Sequence, residues 1–295
     1  MGTKVLVTGA TGFIGGSLTS YLTGVAGYQV KGTSRVAGKR GGVEYSYYDI
    51  SKPFSLDMLD SIDVLIHCAH DFSASMIEEN IQSTMDLCYR YYEINPRGKF
   101  IFVSSFSSRK DAQTAYGKAK YKTELALKHT PAVIIRPGFV LGAGGLFYRL
   151  VKMLKVAPVV PMFDGGKGIL PVIGIDKLCQ CIALLIEREH TESEYNLFEE
   201  KMVTLDVFFR QIALQMQRRI LFISIPSSIC LFILKLVESV GISLPVGHDN
   251  LKAFVANQDV IYNSSFPLLG VGGCSINESI FKAYKFGGGN DNSGS

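Results

Sequence analysis

The sequence predicts an α/β fold, a doubly wound parallel sheet followed by a smaller lobe. Three observations carry this. Strand-like and helix-like runs alternate through the first 140 residues or so. The strand-like runs are almost continuously apolar, as in strands buried on both faces by crossover helices. Between the first strand and the first helix lie three glycines at intervals of three, Gly9, Gly12 and Gly15.

Taken in order, "KVLVTG" reads as the first strand, and Gly12 to Leu22 as a helix with Phe13, Ile14, Leu18, Tyr21 and Leu22 apolar. "YQVKGTSR" reads as the second strand, "VEYSYYDI" as a short third and "VLIHCA" as the fourth. A helix through Asn80 to Tyr92 leads to "KFIFVSS", the fifth strand. A further helix from about Ala115 to Lys128 precedes "AVIIRPGFVLG", a sixth strand with its exit loop. In such a sheet, ligands bind at the carboxyl ends of the strands.

Beyond residue 142 the rhythm changes. "GAGGLFYRLVKMLKVAPVVPMFDGGKG" is rich in Gly and Pro, and "LPVIGIDKLCQCIALLIERE" returns to a strand and a helix. "EYNLF" and an amphipathic helix near Leu205 to Met216 follow. We expect residues 1–141, with 169–190 returning to them, to form the first domain, 142–286 mostly a substrate-binding lobe, and the low-complexity 287–295 a disordered tail. Ile220 to Leu234, "ILFISIPSSICLFIL", is too short for a spanning helix of about 20 apolar residues. It reads as a buried helix, with shallow membrane contact through 220–240 the minority reading.

Composition excludes several function classes. Thirty Lys and Arg against 26 Asp and Glu leave a net charge of +4, scattered along the chain. That argues against nucleic acid as a partner. Cys179-Gln180-Cys181 lacks the spacer and second pair of a zinc site, so no metal is expected. The six cysteines sit mostly in apolar surroundings and read as buried free thiols of a reducing, cytoplasmic compartment. A strand beginning at residue 4 leaves no room for a signal peptide, and none is expected.

Three stretches carry chemistry. In the glycine loop, Gly9 permits a tight turn, Gly12 lets the backbone approach a pyrophosphate, and Gly15 lets helix and strand pack closely. The helix N-terminus adds N–H donors and positive potential for an anion. In Tyr116-Gly117-Lys118-Ala119-Lys120, helical spacing sets the Tyr116 phenol and Lys120 ammonium on one face. An ordinary phenol pKa of about 10 is too high for a base at neutral pH, and a nearby cation lowers it. The third stretch, Phe102-Val103-Ser104-Ser105, places hydroxyls at the end of the fifth strand, where one could hydrogen-bond a substrate oxygen.

Together, in this order and on these elements, the three resemble the short-chain dehydrogenase/reductase superfamily with its Rossmann-type fold. They are most similar to its extended branch, the nucleotide-sugar epimerases, dehydratases and keto-reductases. The likeness covers nearly the whole chain, through to "DNL" and "NSSFPLLGVGGCSINESI" near its end. The resemblance implies Tyr116 as acid/base, Lys120 as its tuner and ribose ligand, and Ser105 as binder of the carbonyl or hydroxyl. Ser105 is preferred to Ser104 because the family's hydroxyl holds the second place after the last apolar residue of the strand; Ser107 is the reserve. It also implies a cofactor site made of Gly9, Thr11, Gly12, Phe13 and Ile14, of Asp49 and Ile50 at the adenine, and of Ala69 near the ribose. Asn80 and the nicotinamide loop with Pro137 and Val140 complete it.

Two departures bear on specificity. The second strand ends Gly32-Thr33-Ser34-Arg35, with no acid where a ribose 2′-hydroxyl would be held. Arg35 suits a 2′-phosphate instead, which favours NADP over NAD. The loop "FSSRKDAQTA" is short, since only eleven positions separate Ser105 from Tyr116. It holds no acid except Asp111, so dehydration is the least supported chemistry. His67 and His70 are expected to be packed histidines, with His70 also a candidate to line the substrate pocket. Arg149, Lys152 and Lys167 are candidates for a diphosphate.

The expected activity is thus an NAD(P)-dependent epimerase or NADPH-dependent keto-reductase acting on a secondary alcohol or keto group of a nucleotide sugar. The alternatives are a hydroxysteroid-type substrate and a non-catalytic NADP(H)-binding sensor or accessory subunit. A small molecule is the expected partner, and a homodimer is an open option.

Overall fold

The computed structural model describes residues 2–189, 192–239, 247–256 and 263–288. The chain divides into two compact units, Met1–Arg136 with Asp176–Asn196, and Pro137–Ile175 with Leu197–Ser295.

In chain order the first unit opens with β1 (Thr3–Thr8), α1 (Phe13–Thr23), β2 (Tyr28–Ser34), β3 (Gly38–Arg40), β4 (Val43–Tyr47) and β5 (Val64–His67). It continues with α2 (Ile77–Ile94), β6 (Lys99–Val103), α3 (Ala115–Leu127) and β7 (Val133–Pro137). The strands are buried on both faces, as their unbroken apolar runs require. Leu6, Leu65, Phe100, Phe102 and Ile134 share one core with Leu87, Cys88 and Tyr91 of α2. The alternate residues Val5, Val7, Val64, Ile66, Ile101 and Val103 are buried as well. Parallel pairing of β1 with β5 and of β5 with β6 brings Thr8 beside His67 and His67 beside Phe102. The carboxyl ends of three strands thereby meet at one rim.

One strand of the first unit was not foreseen. β3 pairs antiparallel with β4 across Gly41-Gly42, whose φ values of 55° and 82° match a two-residue hairpin turn that needs positive φ at both places. The Gly-Gly pair was the sequence signal for it.

The second unit contains β8 (Phe139–Leu141), α4 (Gly145–Val156), β9 (Val159–Phe163), β10 (Ile169–Leu170) and β11 (Val172–Gly174). After α5 (Ile175–Glu187) and β12 (Glu194–Leu197) it resumes with β13 (Val203–Thr204), α6 (Leu205–Gln215), β14 (Leu221–Ile225) and α7 (Ser227–Ser239). It ends with α8 (His248–Ala256), α9 (Phe266–Leu269) and α10 (Ile276–Gly288). The large sheet has the order β12-β7-β6-β5-β1-β2-β4-β3. β8 pairs with β11 in a separate small sheet. The apolar run 132–141 therefore breaks at Gly138, where a Cβ would come within 2.6 Å of the Pro171 carbonyl oxygen. This is why the unit boundary falls after Arg136 rather than at 141. What returns to the first unit is α5 and most of β12. Phe208 centres the second core, edge-on to Phe139 and Phe209.

The segment expected to form one buried helix does not. Pro226 lacks an N–H and cannot continue either element it touches. Before it, β14 pairs with β9; after it, α7 begins, and on α7 only Cys230 is buried. Of the expected tail 287–295, residues 287 and 288 close α10 and the rest lie outside the described residues, as do 257–262 within the closing segment.

Candidate active site

The glycine loop is built as tightly as its spacing suggests. Gly9 has φ +62°, and a Cβ there would lie 2.9 Å from the Ala69 backbone. A Cβ at Gly15 would come within 2.4 Å of the Gly9 carbonyl oxygen, so α1 rests directly on the loop. Gly12 caps α1 without a side-chain hydrogen bond, and no acidic residue occupies the first turn. The positive pole of the helix thus faces a cradle of exposed Thr11 and Gly12 and half-buried Phe13 and Ile14. These residues fit a dinucleotide pyrophosphate.

The loop leaving β5 links this cradle to the chemistry. The Cys68 and Ala69 N–H groups donate to Thr8 Oγ1 at 3.2 and 3.3 Å. Thr8 Oγ1 also lies 2.8 Å from His67 Nδ1, so the Thr8 proton goes to the imidazole. His67 Nε2 then donates to Thr84 Oγ1 at 3.1 Å, while Thr84 donates to the Asn80 carbonyl. This leaves His67 neutral and protonated at Nε2. Burial, with Lys120 adding, pushes its pKa down to about 3. His67 is therefore packed, between Phe100 and Phe102.

Thr114 sets the start of α3. Its hydroxyl accepts from the Gly117 N–H at 3.1 Å and caps α3, which places Tyr116 in the first turn and Lys120 in the second. Lys120 is 3% exposed. Its Nζ donates to the Val103 carbonyl at 2.8 Å and lies 4.6 Å from the Phe102 ring centroid and 5.9 Å from that of Tyr116. Burial lowers its pKa to about 8. Tyr116 lies close enough to Ser105 for the serine hydroxyl to act on the phenol. Burial raises the phenol pKa; the Ser105 hydroxyl works against that rise and Glu124 adds to it. The phenol is thus raised by burial rather than lowered by a cation, contrary to the expectation from the Tyr116–Lys120 spacing.

Ser105 Oγ accepts the Ser107 N–H at 3.1 Å, so the reserve candidate acts through its backbone to shape the turn. The turn docks on α3 at Gly117, where a Cβ would come within 2.6 Å of the Ser107 carbonyl oxygen. Ser104 faces the other way and donates to Glu124. Arg136 donates to the same carboxylate through Nε and Nη2 and to Glu194 at 2.7 Å. Burial opposes the Arg136 charge, but the two carboxylates outweigh it and raise its pKa.

His70 stands edge-on to the Tyr116 ring with centroids 5.0 Å apart. Phe72, 74% exposed, stacks on Tyr116 at 5.4 Å. Burial, then Lys120 and His67, depress the His70 pKa to about 2, so His70 is neutral too. Asn80 spends its amide on the Asp71 and Met76 backbones and shapes this loop. At the far end of the cradle Arg35 is exposed, and its charge helps to lower both Asp49 and Asp71, after the hydrogen bonds from Ser51 and Ser73. Ile50 packs against the core around Tyr48.

The first unit thus brings together the glycine loop, Ala69, His70, Ser105, Ser107, Tyr116 and Lys120. Phe72, Thr114, Gly117 and Glu124 were missed; of these only Thr114, a capping residue before a helical run, carried a readable signal. Pro137, Val140 and Arg149 belong to the second unit: Pro137 follows directly on the unit crossing, Val140 pairs with Ile173 and Arg149 is exposed on α4. That unit has a cavity of about 330 Å³ bounded by Phe163, Asp164, Lys167, Ile169 and Phe254. Lys152 stands over the Tyr148 ring at 4.5 Å. Among the described residues, no group of three or more His, Cys, Asp or Glu could hold a metal ion.

Comparison with known proteins bears on the family and the fold. The model of the NAD dependent epimerase/dehydratase family matches residues 5–197. A UDP-glucose 4-epimerase of Vibrio cholerae is 24% identical over 236 residues, 67% of this chain and 70% of that protein. Among solved structures, the UDP-glucose 4-epimerase of Thermotoga maritima with UDP-glucose superposes with a TM-score of 0.71 at 17% identity, covering 96% of this chain and 98% of its own. The UDP-glucuronic acid 4-epimerase of Bacillus cereus, in complex with UDP-glucuronic acid and NAD, gives 0.67 at 18% identity, with the same 96% and 98% coverage.

Proposed function

The chain belongs to the NAD dependent epimerase/dehydratase family, and from that premise we propose that it exchanges hydride and a proton at a secondary alcohol or keto carbon of a nucleotide sugar. The reaction would be 4-epimerisation or NADPH-dependent keto reduction. The observation that carries this is the placing of Tyr116 beside Ser105, with Lys120 buried one turn further along the same helix.

The glycine loop would hold the pyrophosphate, Asp49 and Ile50 the adenine end, and Lys120 with Ala69 the ribose. Asn80 would keep the neighbouring loop in shape, and Pro137 and Val140 would enclose the nicotinamide. Arg35 would meet a 2′-phosphate, which puts NADP ahead of NAD. A bound nicotinamide supplies hydride exchange. Ser105 orients the substrate oxygen through its hydroxyl. Tyr116, kept protonated at neutral pH by burial, gives its proton to that oxygen as an alcohol forms and takes it back in the reverse direction. Lys120, with a pKa of about 8, is poised to exchange protons behind the phenol. His70 and Phe72 hold the Tyr116 ring in place. Lys167, at its 330 Å³ cavity, and Arg149 are the candidates for the nucleotide diphosphate.

Tyr116→Phe removes the proton donor while keeping the ring packed against His70 and Phe72. Turnover measured on a panel of nucleotide sugars should fall by roughly 10²- to 10⁴-fold, with dinucleotide binding retained. Full turnover by that variant would overturn the assignment.

A further inference from the structure

The surface of α7 has no part in the chemistry above. Ile229, Phe232, Ile233 and Leu236 are spaced as one helical stripe and are 47–69% exposed. The ribbon preceding the helix adds to it. Leu221 pairs with Val159 and Ile223 with Pro161, and all four are exposed. Isolated exposed apolar residues are ordinary, but a run of this size marks an interaction surface.

Charge identifies the partner. From residue 207 to 237 there is no Asp or Glu, while Arg210, Arg218, Arg219 and Lys235 fall within that stretch. Arg210 is paired with Asp206. No carboxylate among the described residues pairs with Arg218, Arg219 or Lys235. The acids at the two ends of α7 are already engaged: Asp164 accepts the Ser227 N–H, and Glu238 that of His248. A second copy of the chain would set this acid-free, cationic segment against itself, because a two-fold interface brings the same patch together. An anionic lipid surface meets both features at once.

Length sets the mode of contact. α7 has 13 residues, about 20 Å of helix, and no described helix is long and apolar enough to cross a membrane. A short helix with an apolar stripe and basic neighbours lies in the plane of the interface.

We propose that α7 seats this protein on anionic bilayers, with Ile229, Phe232, Ile233 and Leu236 in the acyl boundary and Arg218, Arg219 and Lys235 serving headgroup phosphates. The proposal does not depend on the catalytic reading, and its test needs no turnover.

The test is flotation of the full chain with vesicles of phosphatidylcholine alone or mixed equally with phosphatidylglycerol. The protein should float with the mixed vesicles, and added salt should weaken this. Phe232→Glu should reduce partitioning by about tenfold or more, with an unchanged urea midpoint. The chain contains no tryptophan, so Phe232→Trp supplies a sole indole, whose emission should shift to the blue on adding the mixed vesicles. Three results would each overturn the proposal: protein that stays in the buffer with an unshifted indole, flotation that Phe232→Glu leaves intact, or a dimer that Phe232→Glu splits while no vesicle binds.

Discussion

Tyr116 and His67 show how burial, more than charge, sets the protonation states around the site. Both are enclosed near the same buried lysine, and both are held in their uncharged forms. His67 makes the cleaner test because its two ring nitrogens are committed to Thr8 and Thr84. Its folded pKa of about 3 lies below the ordinary 6.5. As pH falls from 6.5 toward 3 the unfolded chain gains a proton that the folded chain refuses. The stability this group contributes is therefore complete above pH 6.5 and lost on the acid side. By linkage the loss at pH 5 is roughly 2 kcal/mol. Urea midpoints at pH 7 and pH 5 should differ accordingly, and His67→Gln should flatten the difference. An equal slope in the variant would mean that other groups carry the acid sensitivity.

At the scale of elements, α3 is the part on which the site depends. Its cap at Thr114, its docking glycine at Gly117 and its buried Lys120 all fix the direction of the Tyr116 phenol. Thr114→Ala should cost about 1 kcal/mol of stability, the ordinary value of a helix cap. It should also lower kcat more than it raises KM, since it displaces α3 and the proposed proton donor Tyr116 rather than the substrate. Thr114→Ser should restore both, and denaturation curves with steady-state kinetics on the pair check this. The elements were legible in proportion to their local signals. β1, β5 and β6 announce themselves as apolar runs, and α1 by its leading glycines, whereas the threonine that caps α3 went unread. β14 and α7 were misread as one buried helix because hydropathy reports how apolar a segment is and not whether anything covers it. The proline that divides them was visible, yet the exposure of α7 was not.

At the scale of the molecule, a dinucleotide that binds only the folded chain stabilises it by mass action. At 100 times its Kd the gain is about 2.7 kcal/mol. With Arg35 meeting a 2′-phosphate as proposed, NADPH should raise the thermal midpoint more than NADH at equal concentration. Arg35→Ala should remove the difference while leaving the NADH shift in place, because Arg35 is exposed and holds no part of the core. Equal shifts in the parent protein would count against the 2′-phosphate contact.

The amino-acid sequence by itself determined the doubly wound sheet, the glycine cradle and the set of side chains at the rim. These depend on periodicity and spacing, which are local properties of a chain. Only the tertiary structure decided how those side chains are charged and what surrounds them. His70 and Phe72 close on Tyr116 from a loop more than forty residues away in sequence. Glu124 and Arg136 pair behind Ser104, and Lys120 loses its water to the β6 strand end. Desolvation depends on every neighbour at once, and neighbours distant along the chain become near only when the sheet is formed.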